Sequence, residues 1–553
     1  MSSFCYDVSA TGRAGACPVG LTPLVLEQPV ASVLSPQFAT EFARPVGLTI
    51  GSIALCGIER TLWDEFPRSR FRRSCMRQLN CEEETWAREQ LRHAALGDSR
   101  RTARVVRMVA RAAQSPGGKV SEVFEDAAER QGAYDLLETR HVSVAALSSA
   151  FGATAAERAA CESFAFAAVD GSSINLADRA KSKDFGSVGS FNHGARGLKV
   201  VSTLACSPEG VPLGLLSQAW WARTGTKSRS SAERRARNRK RRVEDKETWY
   251  WLEAIKDAAA HADQANARLW FQLDREGDNQ HILRRLVETT HRFTVRSSWN
   301  RLIEATGKDK QKLRQWLARE APGGHYDLEI SAGPKRTARR AHIDVRWGQV
   351  VFRLHDRLTK TVTRLEVMAV WAREEGTCPA SEKPVDWLLL TNTTVESFED
   401  ACLVVHGYTQ RWRVEEFHKT WKSGACKVEE SQLRSQQAVT LWATMLAAVA
   451  ARIERIKYLA RTTPEQPATV ELSNHEVRAL ILLMRGIRKR NETIPDTTPT
   501  IGMATEWIAR LGGYTGKSSG GPPGSITIRR GLEKVRPGAR VLAALEAETR
   551  SDQ

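Results

Sequence analysis

The sequence predicts an α/β fold flanked by helical regions at both ends, on three observations. Two apolar runs end in an acid: SFAFAAVD, from Ser163 to Asp170, and ARLWFQLD, from Ala267 to Asp274. Buried strands of this kind place the acid at the mouth of a sheet, where ligands bind. Alternating or β-branched text then recurs in HYDLEIS, RRAHIDVRWGQVVFRLH, TRLEVMAVWA and DWLLLT, which read as strands. Helix-period text brackets both, in the stretch from Thr85 and in the apolar segments Ala438 to Leu459 and Glu476 to Arg485.

A chain of 553 residues has room for three or four domains. Its net charge of +18 points to a polyanionic partner, nucleic acid first and an acidic membrane surface second. No apolar run reaches 18 residues and the start has no signal-peptide pattern, so a cytoplasmic protein with no membrane partner is expected. The ten cysteines form neither C-x2-C pairs nor clusters with zinc spacing. Cys75 and Cys81 read as free thiols.

In chain order, residues 1–80 mix Pro, Gly and Ser with short apolar pieces and an arginine-rich patch at Arg68, Arg70, Arg72 and Arg73. From Thr85, two helices meet at Leu96-Gly97, the second capped by Asp98 or Ser99. Arg100, Arg104, Arg107 and Arg111 fall within about 60° of one another on that second helix, opposite Val105, Met108 and Val109. Taken alone, such a stripe is equally a solvated surface. LKVVSTLACS and PLGLLSQAWW supply further strands between the two acids. Arg223 to Lys246 holds eleven Lys/Arg against three Asp/Glu, which reads as a disordered solvated loop or as a nonspecific contact to the DNA backbone. GYTGKS near Gly513 mimics a phosphate loop, but Leu511 stands where the Walker spacing needs glycine and no strand precedes it, which excludes an NTPase.

The most informative stretch is Tyr408 to Lys422, YTQRWRVEEFHKTWK. On a helix, Tyr408, Arg411, Glu415, Lys419 and Lys422 fall at roughly 0°, −60°, −20°, +20° and −40°, a narrow polar stripe expected to point outward. Val414, Phe417 and Trp421 lie opposite, as a core face. A lone carboxylate among cations suits a divalent metal held by Glu415 and phosphate oxygens held by Arg411, Lys419 and Lys422. Glu416 projects about 100° away from the stripe. Asp274 and Glu415 are 141 positions apart, so a β-rich insertion at about 299–384 is expected between them, with the chain returning to the core at Trp387.

The pattern Y-x2-R-x3-E-x6-K, in the wider text RWRVEEFHKTWKSGA, resembles the bacterial DDE transposases of the insertion-sequence IS-four family, of the Tn-five type. The resemblance runs from about Thr85 to Val535 and leaves residues 1–75 outside it, so translation starting at Met76 is expected to suffice for chemistry. It implies a ribonuclease-H-like catalytic core with Asp170, Asp274 and Glu415 holding two Mg²⁺ or Mn²⁺ ions. The expected domains are an N-terminal extension (1–80), a helical domain gripping transposon ends (81–150), the catalytic core with its insertion (151–435) and a helical dimerisation domain (436–553). It further implies DNA contacts by Arg100, Arg101, Arg104, Tyr408, Arg411, Lys419 and Lys422, and a flipped base stacked on Trp387 in the text DWLLLT. The DREGD loop resembles a family motif whose first acid is the ligand, which favours Asp274 over Asp278. Val541 to Ala547 is a candidate dimerising helix. The expected activity is cut-and-paste transposition, with hairpin formation on double-stranded transposon ends, joining to target DNA, and a homodimer working in the bacterial nucleoid. The rivals are a structure-selective nuclease and an inactive DNA-binding descendant.

Overall fold

The structure, a computed structural model, describes residues 81–551 apart from the short segments 190–193, 225–229, 305–310, 331–336 and 517–520 and positions 357, 377, 381 and 489. The N-terminal extension, with Cys75, Met76 and the arginine-rich patch, lies outside the described residues.

Five helices come first: α1 (Cys81–Gln90), α2 (Ser99–Gln114), the short α3 (Val120–Val123), α4 (Ala127–Glu138) and α5 (Val144–Ala160). Gly97, at φ +74°, makes the turn into α2, and Asp98 caps it by accepting from the Arg100 N–H at 2.7 Å. Val105, Met108 and Val109 are buried as their spacing requires.

The sheet begins with β1 (Ala165–Asn175), β2 (Gly186–Ser187), β3 (Arg196–Cys206) and β4 (Pro212–Trp221). After α6 (Ser231–Lys240) and α7 (Thr248–Ala265) come β5 (Leu269–Leu273), α8 (Gln280–Glu288) and β6 (Arg292–Arg296). β4, β3 and β1 form an antiparallel meander, and β5 and β6 continue from β1 in parallel. This is the ribonuclease-H-like arrangement. The basic stretch is not wholly a loop: Ser230 and Glu233 form a capping box that starts α6.

The strand-rich text between the acids gives β7 (Leu302–Ile303), β8 (Gln311–Lys312), the short α9 (Leu313–Leu317), β9 (Gly324–Ile330), β10 (Arg339–His355) and β11 (Val362–Glu375). β12 (Asp386–Thr391) then pairs with both β6 and β11, so β11, β10 and β9 extend the central sheet itself.

Helices close the chain: α10 (Phe398–Gln410), α11 (Trp412–Lys422), α12 (Gln436–Thr462), α13 (Asn474–Ile487), α14 (Ile501–Leu511) and α15 (Ser525–Ser551). Val541 to Ala547 is the end of α15, a 27-residue helix with Pro537 inside it. The sheet divides the core in two. Phe166, Ala168 and Trp270 pack with α10, α11 and α12, while Ala167, Val169 and Phe271 pack with α7 on the other face.

Candidate active site

The two aspartates reach the same place by strand register. β1 and β5 pair in parallel as far as Val169 and Leu273, so Asp170 and Asp274 are the next residues on adjacent strands. Because side chains alternate, both belong to the face of Phe166, Ala168 and Trp270, beneath α10 and α11. β1 does not end at its acid, as the sequence pattern implied: it continues to Asn175, paired with β3. The sheet mouth at Asp170 is where the β1–β5 pairing stops.

α10 comes close to the sheet at Gly407, where a Cβ would stand 2.7 Å from the Phe166 ring and 2.9 Å from Gln272. One turn on, Arg411 lies beside both strand ends. Its Nη2 stands 2.6 Å from Glu415 Oε1, and Asp170, Asp274 and Glu415 all act electrostatically on its guanidinium. Burial opposes that charge, but Tyr408 and the three carboxylates outweigh it and hold Arg411 firmly protonated. Burial likewise drives the Asp170 carboxyl well above the usual range; Asp274, Glu415 and Glu276 add to the rise and Arg411 opposes it.

The start of the polar stripe does not point outward as expected, whereas its end does. Tyr408 is 2% exposed and Arg411 4%, because this side of the helix faces the sheet mouth. Lys419 is exposed, and the half-buried Lys422 lies 3.7 Å from Glu429. The opposite side is core, as predicted: Trp421 donates to Ala443 O at 2.8 Å and packs edge-on against Trp220. Glu416 lies apart from the stripe, 3.6 Å from Arg413.

Asp278 has a different employment. Its enclosed side chain accepts from Ser298 N at 2.6 Å and pairs with Arg301 at 2.6 Å. Trp387 is 6% exposed, set edge-on to Tyr408 with centroids 5.6 Å apart. Of the N-terminal arginines, Arg100 is exposed, Arg101 donates to Leu96 O at 3.4 Å, and the Arg104 guanidinium lies so close over Gly132 that a side chain there would overlap it. Arg111, at the end of the stripe, is paired with Glu129 at 3.0 Å.

Sequence reasoning missed His418 and Arg296. His418 is buried with Nδ1 3.9 Å from Asp170, and burial followed by Lys422 lowers its pKa to about 3, leaving it neutral. Arg296 donates to the Tyr408 hydroxyl at 3.3 Å and to Asp386 O at 3.0 Å. Its signal was positional, at the end of a strand parallel to that of Asp274.

Residues 83–142 match the transposase DNA-binding family, residues 229–451 the transposase DDE domain, and residues 448–547 the transposase Tn5 dimerisation domain. Asp274 and Glu415 fall inside the DDE match and Asp170 precedes it. The protein is therefore a DDE transposase, a DNA-binding, DNA-cleaving and strand-transferring enzyme that depends on divalent metal. The order of the three matches makes it a member of the Tn5 type, whose C-terminal region forms a dimer. No helix among the described residues is long and apolar enough to cross a membrane.

Among the described residues, no three acidic, His or Cys side chains stand close enough to hold an ion as they are arranged. At the sheet mouth Arg411 engages Glu415 and interacts electrostatically with both aspartates. The donors nevertheless fit a hard divalent cation: three carboxylates whose mutual repulsion a single guanidinium now offsets.

Proposed function

We propose that Asp170, Asp274 and Glu415 are the catalytic acids of a cut-and-paste transposase and together hold two Mg²⁺ or Mn²⁺ ions. Bound there, the ions supply Lewis acidity toward the scissile phosphate and its attacking and leaving oxygens. The observation that carries the reading is the shared register of Asp170 and Asp274, one residue past the last β1–β5 pair, with Glu415 joined to them through Arg411.

Around these acids the chain supplies phosphate contacts. Lys419 and Lys422 extend along α11 from Glu415 and bind the strand that crosses the site. Arg411, once released from Glu415, joins them, held in place by Tyr408. His418, neutral and 3.9 Å from Asp170, adds no charge beside that carboxylate. On the N-terminal domain, Arg100, Arg101 and Arg104 grip the double-stranded transposon end, and the helix of the basic stretch adds nonspecific backbone contact. The end of α15, where Val541 and Leu545 are half exposed, joins two copies on paired ends. Cleavage proceeds through a hairpin, with a flipped base on Trp387, before joining to target DNA.

Asp170→Ala, Asp274→Ala and Glu415→Ala are each expected to abolish end cleavage in Mg²⁺ while leaving end binding within a few-fold of the parent. Near-normal cleavage by any one of them removes it from the catalytic set.

A further inference from the structure

Trp299 is 64% exposed, more than any other large hydrophobic side chain described. Its place follows from the sheet. β6 runs parallel to β5 with Val295 paired to Leu273, so Arg296 and Asp274 leave the sheet side by side, and Trp299 stands three residues beyond Arg296. An indole left in water forfeits the burial that usually stabilises it, and this one is held there by a fixed frame. Ser297 N donates to Leu388 O at 2.7 Å, and Ser297 Oγ donates to the carbonyl of Trp299 at 3.0 Å. Ser298 N donates to Asp278 at 2.6 Å and Ser298 Oγ to Arg275 O at 2.9 Å. Arg301, paired with Asp278, closes the far end. The loop carrying Asp274 and the loop carrying Trp299 are thus tied into one unit, which explains why Asp278 is enclosed.

Cations surround this unit. Burial, then Arg296 and Arg314, push the Arg275 pKa down, which places three guanidiniums in one neighbourhood with Tyr408. Arg314 pairs with Asp386 at 2.8 Å, and Arg296 donates to the Tyr408 hydroxyl and to the Asp386 carbonyl. An exposed indole on a loop tied to the one that carries Asp274, in a region rich in guanidiniums, suits a strand whose base has left the stack. Trp387, to which the hairpin reading assigns one flipped base, is buried against Tyr408, so a second unpaired base would meet the exposed indole of Trp299.

We propose that Trp299 stacks on an unpaired nucleobase of the DNA strand that crosses Asp170, Asp274 and Glu415. This rests on the active-site reading above. The test uses the full chain with divalent ions chelated, so that binding is read without cleavage. Duplexes carry one unpaired 2-aminopurine at successive positions, either beside the transposon-end cut or in an unrelated target sequence. The parent is expected to prefer the unpaired duplex and to quench the probe at one position. Trp299→Ala is expected to bind that duplex about 5- to 100-fold more weakly, as loss of one stacked base implies, with fully paired DNA bound within twofold. Trp299→Phe retains most of the preference. Loss in the end duplex assigns the base to the transposon and loss in the unrelated duplex assigns it to the target. Equal preference in the parent and Trp299→Ala on both duplexes overturns the proposal. Cleavage by Asp170→Ala in Mg²⁺, measured separately, instead overturns the site reading.

Discussion

Removing the charge of Arg411 tests whether this guanidinium competes with metal for the acids. In Arg411→Met the stem remains and the cation is lost, leaving Asp170, Asp274 and Glu415 without their shared counter-charge. The Arg411–Glu415 contact is 2.6 Å, and at an effective dielectric of about 20 the gross attraction is on the order of 6 kcal/mol. Desolvation of the buried guanidinium and the partial exposure of Glu415 reduce the net value to about 1–2 kcal/mol. A divalent ion entering the parent site has to displace that contact; in the variant it does not. Arg411→Met without DNA is therefore expected to bind Mn²⁺ about 5- to 30-fold more tightly, the affinity equivalent of that energy. Titration calorimetry measures this directly, and a larger metal-dependent rise in melting temperature reports it independently. Arg413→Met is the control, because Arg413 pairs with Glu416 and stacks on Tyr458, away from the acids. An unchanged or weaker Mn²⁺ affinity in Arg411→Met would refute the competition.

Two further outcomes are expected. Trp387→Phe, which keeps an aromatic ring against Tyr408, should leave first-strand nicking intact and slow hairpin formation several-fold, with Trp387→Ala slowing it about 10- to 100-fold; gel analysis of nicked and hairpin products decides, and normal hairpin rates in both variants remove the stacking role. Trp387→Ala should also cost about 3–5 kcal/mol of stability as a large buried side chain is lost, so its melting curve is read alongside. Glu476 lies buried between Arg452 and Arg536; burial pushes its pKa up, but the two guanidiniums and the Ser473 N–H hold it below the usual carboxylate value. Its folded-state pKa is depressed, so its contribution is complete above the unfolded value of about 4.3 and is lost as pH falls through the folded value. The parent's melting temperature should thus fall more steeply with acid than that of Glu476→Gln, and parallel curves would remove Glu476 as the cause.

What was legible in the sequence was whatever a local period carries. The four strand texts from HYDLEIS to DWLLLT became β9 to β12: the first three alternate or are rich in β-branched residues, and the last is a short apolar run buried on both faces. That β11 pairs with β12, turning the insertion into an extension of the central sheet, is a choice of partner across a loop, and no period encodes it. Asp278 shows the same limit at one residue. From its own loop it is a second acid near Asp274; only the arrival of Ser297, Ser298 and Arg301, some twenty positions on, makes it the anchor of another loop.

The helical wheel failed for a more instructive reason. It set Tyr408, Arg411 and Glu415 on one stripe correctly, but a polar stripe is read as solvent-facing only when nothing polar waits on the other side. Here Gly407 lets α10 settle onto Phe166 and Gln272, which brings the stripe over two strand ends bearing acids. The backbone tightens at that point: Arg411 N donates to Tyr408 O, and Val414 N to Arg411 O, both at 3.2 Å and both three residues back. Such a turn advances about 120° per residue instead of 100°, so the register between Tyr408 and Glu415 departs from the ideal wheel where the guanidinium must meet the carboxylates. The motif therefore does not lie on one continuous helix, as its spacing suggested, but on α10 and α11, which meet in a tightened joint at Arg411. A substitution relaxing that joint should disturb the acids even if every charged residue is retained.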